Sequence, residues 1–309
     1  MLLSFLGQKS YPVGVDMAED YIKLVQLNNS GKVVKLIACT DHLCPDEIVA
    51  GSCQWQSWAI ETLKSSFSNN GFKGRNVVVS IPPSEVFIDH LKMPKCSKEK
   101  LNETVLAKLK QKLPFDSSDA IVKCIETEQN NLIVFVTERE KINRHLAIYE
   151  KNNLQVKSMC IWPMALTNCY GKFFGRRQSD LESIVLLVDI GSKVTNVVIS
   201  RHTNPLFARS ILIGSEKFSD EDVVKRFTRE LSACCQFFSN AYNKMDIERM
   251  IFLSSQAVDR GLCAMIAKQV GIPAQIGDCL GAVETSCPSM VERRGSENSW
   301  ATAFGLSLS

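Results

Sequence analysis

Apolar and polar positions follow two rhythms along this chain, and each change of rhythm marks an element. Apolar runs at 13–15 and 22–27 flank a polar turn. A second turn at Asn28-Asn29-Ser30-Gly31 leads into 32–39, so three strands are predicted. Trp55, Ala59, Leu63 and Phe67 then recur every fourth residue, which predicts a helix over 54–69 ended by Asn70-Gly71. Residues 76–81 are near-continuously apolar, the pattern of a strand buried on both faces. A similar order returns later, with strands over 183–190, 195–200 and 207–213. A long helix follows, beginning near Ser219, whose hydroxyl is placed to cap it. Val224, Phe227, Leu231, Cys234, Phe238 and Tyr242 form its apolar stripe. A buried-type strand over 250–253, a helix over 262–270, a short strand over 273–276 and an apolar helix over 300–308 close the chain.

Between the two series, Pro82-Pro83 breaks the backbone pattern. Strands over 86–91, 120–126 and 132–137 follow, with a helix carrying Leu101, Val105, Leu109 and Leu113, stopped by Pro114-Phe115. A helix over 138–152 and a strand over 155–161 complete a small α/β module. The expected division is a first domain over 1–83 to which 159–180 return, an inserted module over 84–158, and a second domain over 181–309. Residues 171–182, with Arg176-Arg177 and Ser179-Asp180, form the junction.

The repeat carries the chemistry. Val13-Gly14-Val15-Asp16 and Leu187-Val188-Asp189-Ile190-Gly191-Ser192 each deliver an aspartate into a tight turn between two apolar strands. Two such turns facing each other suit a phosphate chain and its Mg²⁺, because turn amides bind phosphate oxygens, glycine admits close approach and aspartates hold the cation.

Composition narrows the field. A length of 309 residues suits two domains. With 45% hydrophobic and 22% charged residues, the chain is of ordinary globular make-up. A net charge of +3 argues against nucleic acid as a partner, and the densest basic stretch, 92–112, is diluted by Glu99 and Glu103. Twelve cysteines with no Cys-x-x-Cys pair, and four scattered histidines, exclude a metal finger; reduced thiols in the cytoplasm are expected. No Gly-x-Ser-x-Gly, His-Glu-x-x-His or spaced Cys/His pair is present. The apolar start, 1–6, is far short of the roughly 20 residues that span a membrane, and is expected to be an extra strand, a docked arm or a weak membrane contact.

Hairpin, acid turn, third strand and helix, used twice, resemble the actin and Hsp70-type ATPases with their ribonuclease H-like, two-domain α/β fold. Within them the chain is similar to the PilM family of type IV pilus assembly proteins, with FtsA as a relative sharing an inserted subdomain. The resemblance runs through Val13-Gly14-Val15-Asp16, Val78-Val79-Ser80-Ile81-Pro82, Leu91-Lys92-Met93-Pro94, Lys112-Leu113-Pro114-Phe115, Val188-Asp189-Ile190-Gly191, Arg249-Met250-Ile251-Phe252-Leu253-Ser254 and Ala303-Phe304-Gly305-Leu306. It implies that Asp16 and Asp189 hold a hydrated Mg²⁺. It also implies that Asp189, Gly191 and Ser192 form the second phosphate loop, with Thr195 and Asn196 starting its return strand, and that Ser254 and Ser255 lie in the loop that approaches the adenosine of ATP. It implies a cytoplasmic scaffold, peripheral at the inner membrane, that binds the short cytoplasmic N-terminal tail of a bitopic PilN-like pilus protein near the inserted module and links it to motor ATPases. A type II secretion partner is the variant of this design.

The departures point away from nucleotide. The family's Asp-x-Gly-Ser-Ser is here Asp16-Met17-Ala18-Glu19-Asp20, with two carboxylates where phosphate docks, each close like-charge pair costing about 1 to 4 kcal/mol. Ser254-Ser255 replaces a Gly-Gly pair, and the stretch from Gly214 to Tyr242 is short for the subdomain that covers the nucleotide. Weak or absent ATP binding, without meaningful hydrolysis, is the expectation. A working ATP-dependent switch, favoured by the retained aspartate pair, is the alternative; a sugar or acetate kinase fits less well.

Overall fold

The computed structural model describes residues 10–30, 33–93, 98–253, 259–285 and 299–309. The arm 1–6 and the adenosine-loop candidates Ser254 and Ser255 therefore lie outside the described residues.

The alternation in the first third resolves into a six-stranded sheet. β1 (Ser10–Met17), β2 (Tyr21–Ser30) and β3 (Val33–Leu43) form an antiparallel meander, and β4 (Asn76–Ser80) lies parallel to β1. Helix α1 (Cys53–Asn69) makes the crossover, capped by the Ser52 side chain, and buries Trp55, Ala59 and Leu63 against the sheet. The second half repeats the pattern. β9 (Ile184–Ile190), β10 (Thr195–Arg201) and β11 (Asn204–Ile211) form the meander, and β12 (Arg249–Phe252) lies parallel to β9. Its crossover is α5 (Glu221–Ala241), followed beyond β12 by α6 (Arg260–Val270) and β13 (Ala274–Ile276). Strand orders 3-2-1-4 and 11-10-9-12 are the same topology, so the sequence repeat is a structural one.

The inserted segment forms its own antiparallel sheet. β5 (Phe87–Lys92), β6 (Ala120–Glu126) and β7 (Asn131–Glu138) are ordered β5-β7-β6, with α2 (Lys98–Leu109) packing Leu101, Val105 and Leu109 on one face. Helix α3 (Arg139–Lys151) leads back to β8 (Gln155–Cys160), which pairs with β4 as an edge of the first sheet. Glu85 fastens the module's entry to its exit, accepting hydrogen bonds from Arg144 at 2.7 Å and His145 at 3.0 Å, both on α3. Its burial alone would raise its pKa, but these partners outweigh that and hold it below the ordinary value.

Helices α4 (Trp162–Phe173) and α7 (Ala301–Ser307) lie between the two large sheets. One core joins Val25 and Leu27 of β2, Leu166 and Tyr170 of α4, Phe304 of α7, and Val185 and Leu187 of β9. Contact there is backbone to backbone. A Cβ on Gly305 would stand 1.8 Å from the Ala165 carbonyl oxygen, and one on Gly14 would stand 2.2 Å from that of Ala303. Arg249 ties the junction, donating to Asp180 at 2.7 Å and Tyr170 at 2.8 Å.

The structure departs from the sequence reading at four points. The strand over 155–161, expected to complete the inserted module, is β8 of the first sheet. The predicted linker begins inside α4, whose first turn holds Pro163, where a missing N–H costs the helix nothing. Asp220, not Ser219, caps α5, its carboxylate accepting from the Asp222 and Val223 amides. A two-residue strand, β14 (Glu284–Thr285), joins β3 and carries late sequence back to the first sheet.

Candidate functional site

Asp16 is the penultimate residue of β1, an interior strand of its sheet, just before the turn into β2. The Ala18 amide donates to the Tyr21 carbonyl at 2.9 Å to close the turn, and Trp55 of α1 holds it from below, its indole N–H donating to the Glu19 carbonyl at 3.0 Å. Asp16 points into the fold, accepting from Ser80 Oγ and Tyr21 Oη, both at 3.0 Å. Burial raises its pKa, and the two hydroxyls only partly offset this.

The matching turn after β9 is held by Gly191 N–H donating to the Val194 carbonyl at 3.0 Å. Behind it lies Gly214, where an added Cβ would come within 2.1 Å of the Ser192 carbonyl oxygen. Asp189 is buried at the base of this turn, and Thr302 Oγ1 of α7 reaches it at 3.5 Å. Ser299 and Asn196 also turn polar groups toward it, yet its Oδ1 completes no hydrogen bond among the described residues. Burial pushes its pKa up to about 7, with the Asp16 charge adding to the effect.

Lys193 lines the cleft itself, and a second cation, Lys23 of β2, is buried behind it. The Lys23 ammonium donates to the Ser299 carbonyl at 2.9 Å and lies 4.7 Å from the Trp300 ring centre. Burial lowers its pKa to about 8, against the opposing pull of Asp41, Asp16, Asp189 and Asp20. The two turns meet directly: the Ser192 hydroxyl donates to the Asp20 carboxylate. What remains between them is a cavity of about 50 Å³ lined by residues of both turns, Pro82, Pro83 and Ser299.

The structure thus brings Asp189, Gly191, Ser192 and Asn196 to the wall of one cleft, with Asp16 buried behind it on Ser80 and Tyr21. Thr195 stands apart: it is fully buried, and its hydroxyl donates to the Ile213 carbonyl at 2.8 Å, tying β10 to the segment that follows β11. Asn196 is partly engaged too, accepting from Ser210 at 2.9 Å. Sequence reading missed Lys23, Tyr21, Ser80 and Thr302. A lysine inside the apolar run Ile22-Lys23-Leu24-Val25 is the signal that would have found the first.

A magnesium nucleotide does not fit the described residues in this conformation. Small-molecule pockets run to about 300–1,000 Å³, both Asp16 oxygens already accept hydrogen bonds, and Asp20 lies across the mouth.

A second concavity is of another kind. A groove of about 700 Å³ runs between the inserted module and the first sheet, lined by Val86, Ile125, Phe135, Met159, Ile161 and Met164 among others. Residues of β6 and β8 contribute to it, and each is an edge strand of its sheet.

The architecture is that of the actin-like ATPases. Among solved structures, a PilM–PilN type IV pilus biogenesis complex matches with a TM-score of 0.79 over 96% of this chain and 98% of that one, at 18% identity. A Bacteroides thetaiotaomicron protein with an actin-like ATPase fold matches at 0.51 over 92% and 96%, with 10% identity. The cytoplasmic domain of EpsL, an inner-membrane component of the type II secretion system of Vibrio cholerae, matches at 0.51 over 84% and 94%, with 12% identity. No curated protein matches the sequence. The family model of type IV pilus assembly protein PilM matches residues 14–231, and the chain belongs to that family.

Proposed function

We propose that this chain is a non-enzymatic scaffold of type IV pilus machinery that holds the cytoplasmic tail of an inner-membrane, PilN-like protein in the groove between its inserted module and first sheet. The observation that carries this reading is the groove, an apolar channel onto which two sheet-edge strands open. Edge strands offer unpaired backbone groups to an extended peptide, and apolar pockets beside them select alternate side chains. Family membership and the likeness to a PilM–PilN complex support the choice of partner. Attachment would be peripheral, through that partner, as no helix among the described residues is long and apolar enough to cross a membrane. The inserted three-stranded sheet on one side, and β8 and α4 on the other, supply the groove's two walls, and a link onward to motor ATPases completes the scaffold. The filled cleft supports a protein with weakened or lost nucleotide binding, in which Asp16 and Asp189 no longer serve Mg²⁺.

The test is tail binding. Ile125→Asp places a charge in the groove wall from a half-buried position on an edge strand. It is expected to weaken binding of the PilN-like tail peptide by at least about tenfold, equivalent to about 1.4 kcal/mol, at a temperature where the variant's own unfolding curve shows it folded. Unaltered affinity in this variant and in Met164→Asp would reject the groove as the site.

The orphaned Asp189 Oδ1 favours the second reading, an ATP-dependent switch whose cleft opens to admit the ligand. Saturable binding of MgATP, lost in Asp189→Ala, would establish it.

A further inference from the structure

The cleft's two turns belong to different halves of the molecule, yet side chains of this chain fill the space between them. Asp20, from the turn after β1, carries a carboxylate to the Ser192 hydroxyl in the turn after β9, 172 positions away in sequence. Lys23 stands between Asp41 and Asp16 in the strand register of the first sheet, and its buried ammonium donates to the Ser299 carbonyl at the cavity wall. An anion on a turn hydroxyl and a cation between aspartates are the two charges that a metal-bound polyphosphate would bring to such turns.

We propose that Asp20 and Lys23 form a built-in clasp, in place of an anionic ligand and its cation, that holds the two halves closed with nothing bound. The inference rests on the reading of the cleft as closed to nucleotide. Two other joints hold the same halves elsewhere. At the back, α4 and α7 pack between the sheets. At the side, the inserted module docks on the second half, with Thr127 and Tyr242 hydroxyls 2.6 Å apart, Asn131 donating to the Ala241 carbonyl at 3.2 Å, and His90 stacked on Phe207. The clasp supplies the third joint at the front, where a mobile cleft would open.

A double-mutant cycle read by hydrogen–deuterium exchange tests the clasp on the whole chain. Asp20→Ser and Ser192→Ala should each speed exchange in 18–21 and 191–194 together by about tenfold or more, and the double variant should add little, because one contact is lost only once. Exchange unchanged in both turns, or effects that simply add, would overturn the clasp. Adding MgATP to the unaltered protein separates the two readings: protection of the same turns would reject the closed cleft, whatever the cycle shows.

Discussion

Gly305→Ala is expected to lower the stability of this protein by several kcal/mol, or to prevent folding. A glycine-to-alanine change inside an exposed helix ordinarily stabilises it, by about 0.4–1 kcal/mol through the unfolded chain. Here the sign reverses. The new Cβ would stand 1.8 Å from the Ala165 carbonyl oxygen and 2.8 Å from its Cα, so α4 and α7 must part. The neighbouring atoms are backbone and cannot rotate away, and parting the helices opens the core that joins the two sheets. Overpacking a tight core costs about 1–3 kcal/mol where side chains can yield, and more where they cannot. Denaturant unfolding of the variant should show a midpoint far below the parent's; an equal or higher midpoint would mean that the helix contact is looser than described.

Lys23→Met is the second large effect, and its size should depend on pH. Removing one partner from a buried charge cluster costs about 3–5 kcal/mol, because the opposite charges are left uncompensated. Asp189 decides when those charges exist. Its pKa in the fold is about 7 against an ordinary 3.8, so between roughly pH 4 and 7 the fold keeps a proton that the unfolded chain has lost. That protonation contributes stability which falls as pH rises through this window and levels off above it. Between the two pKa values, near pH 7.5, Asp189 is mostly ionised and Lys23 mostly charged, so loss of the ammonium should be most damaging there. Near pH 5, with Asp189 neutral, the same substitution should cost distinctly less. A penalty that does not shrink toward pH 5 would show that Lys23 serves mainly to pack against Trp300.

The hairpin repeat could be read from sequence because it is local: apolar runs, a turn and an acid at fixed places. The crossover helix α1 could be read for the same reason, since Trp55, Ala59 and Leu63 repeat at the helical period. α4 could not, because eight of its twelve residues are buried, so its apolar positions run almost all round and show no one-sided helical stripe. β14 has two residues, too few to carry any alternation, and only its pairing with β3 defines it. The cleft divides along the same line. Asp16 and Asp189 announce themselves at strand ends, and Glu19 and Asp20 were seen as repelling phosphate. That Asp20 instead meets Ser192 is a tertiary fact, set by how closely two distant turns approach. Thr195 shows the converse: it has the right residue type beside the right turn, yet the pleat directs its hydroxyl to Ile213 and away from the cavity.

The most direct test of a closed-cleft scaffold is the affinity of the purified chain for a PilN-like tail peptide, measured by calorimetry with and without millimolar MgATP. The account predicts saturable binding of one peptide per chain, with the same dissociation constant in both conditions. Tail binding that appears only with MgATP, or changes tenfold or more with it, would contradict the account and make the protein a nucleotide-gated switch.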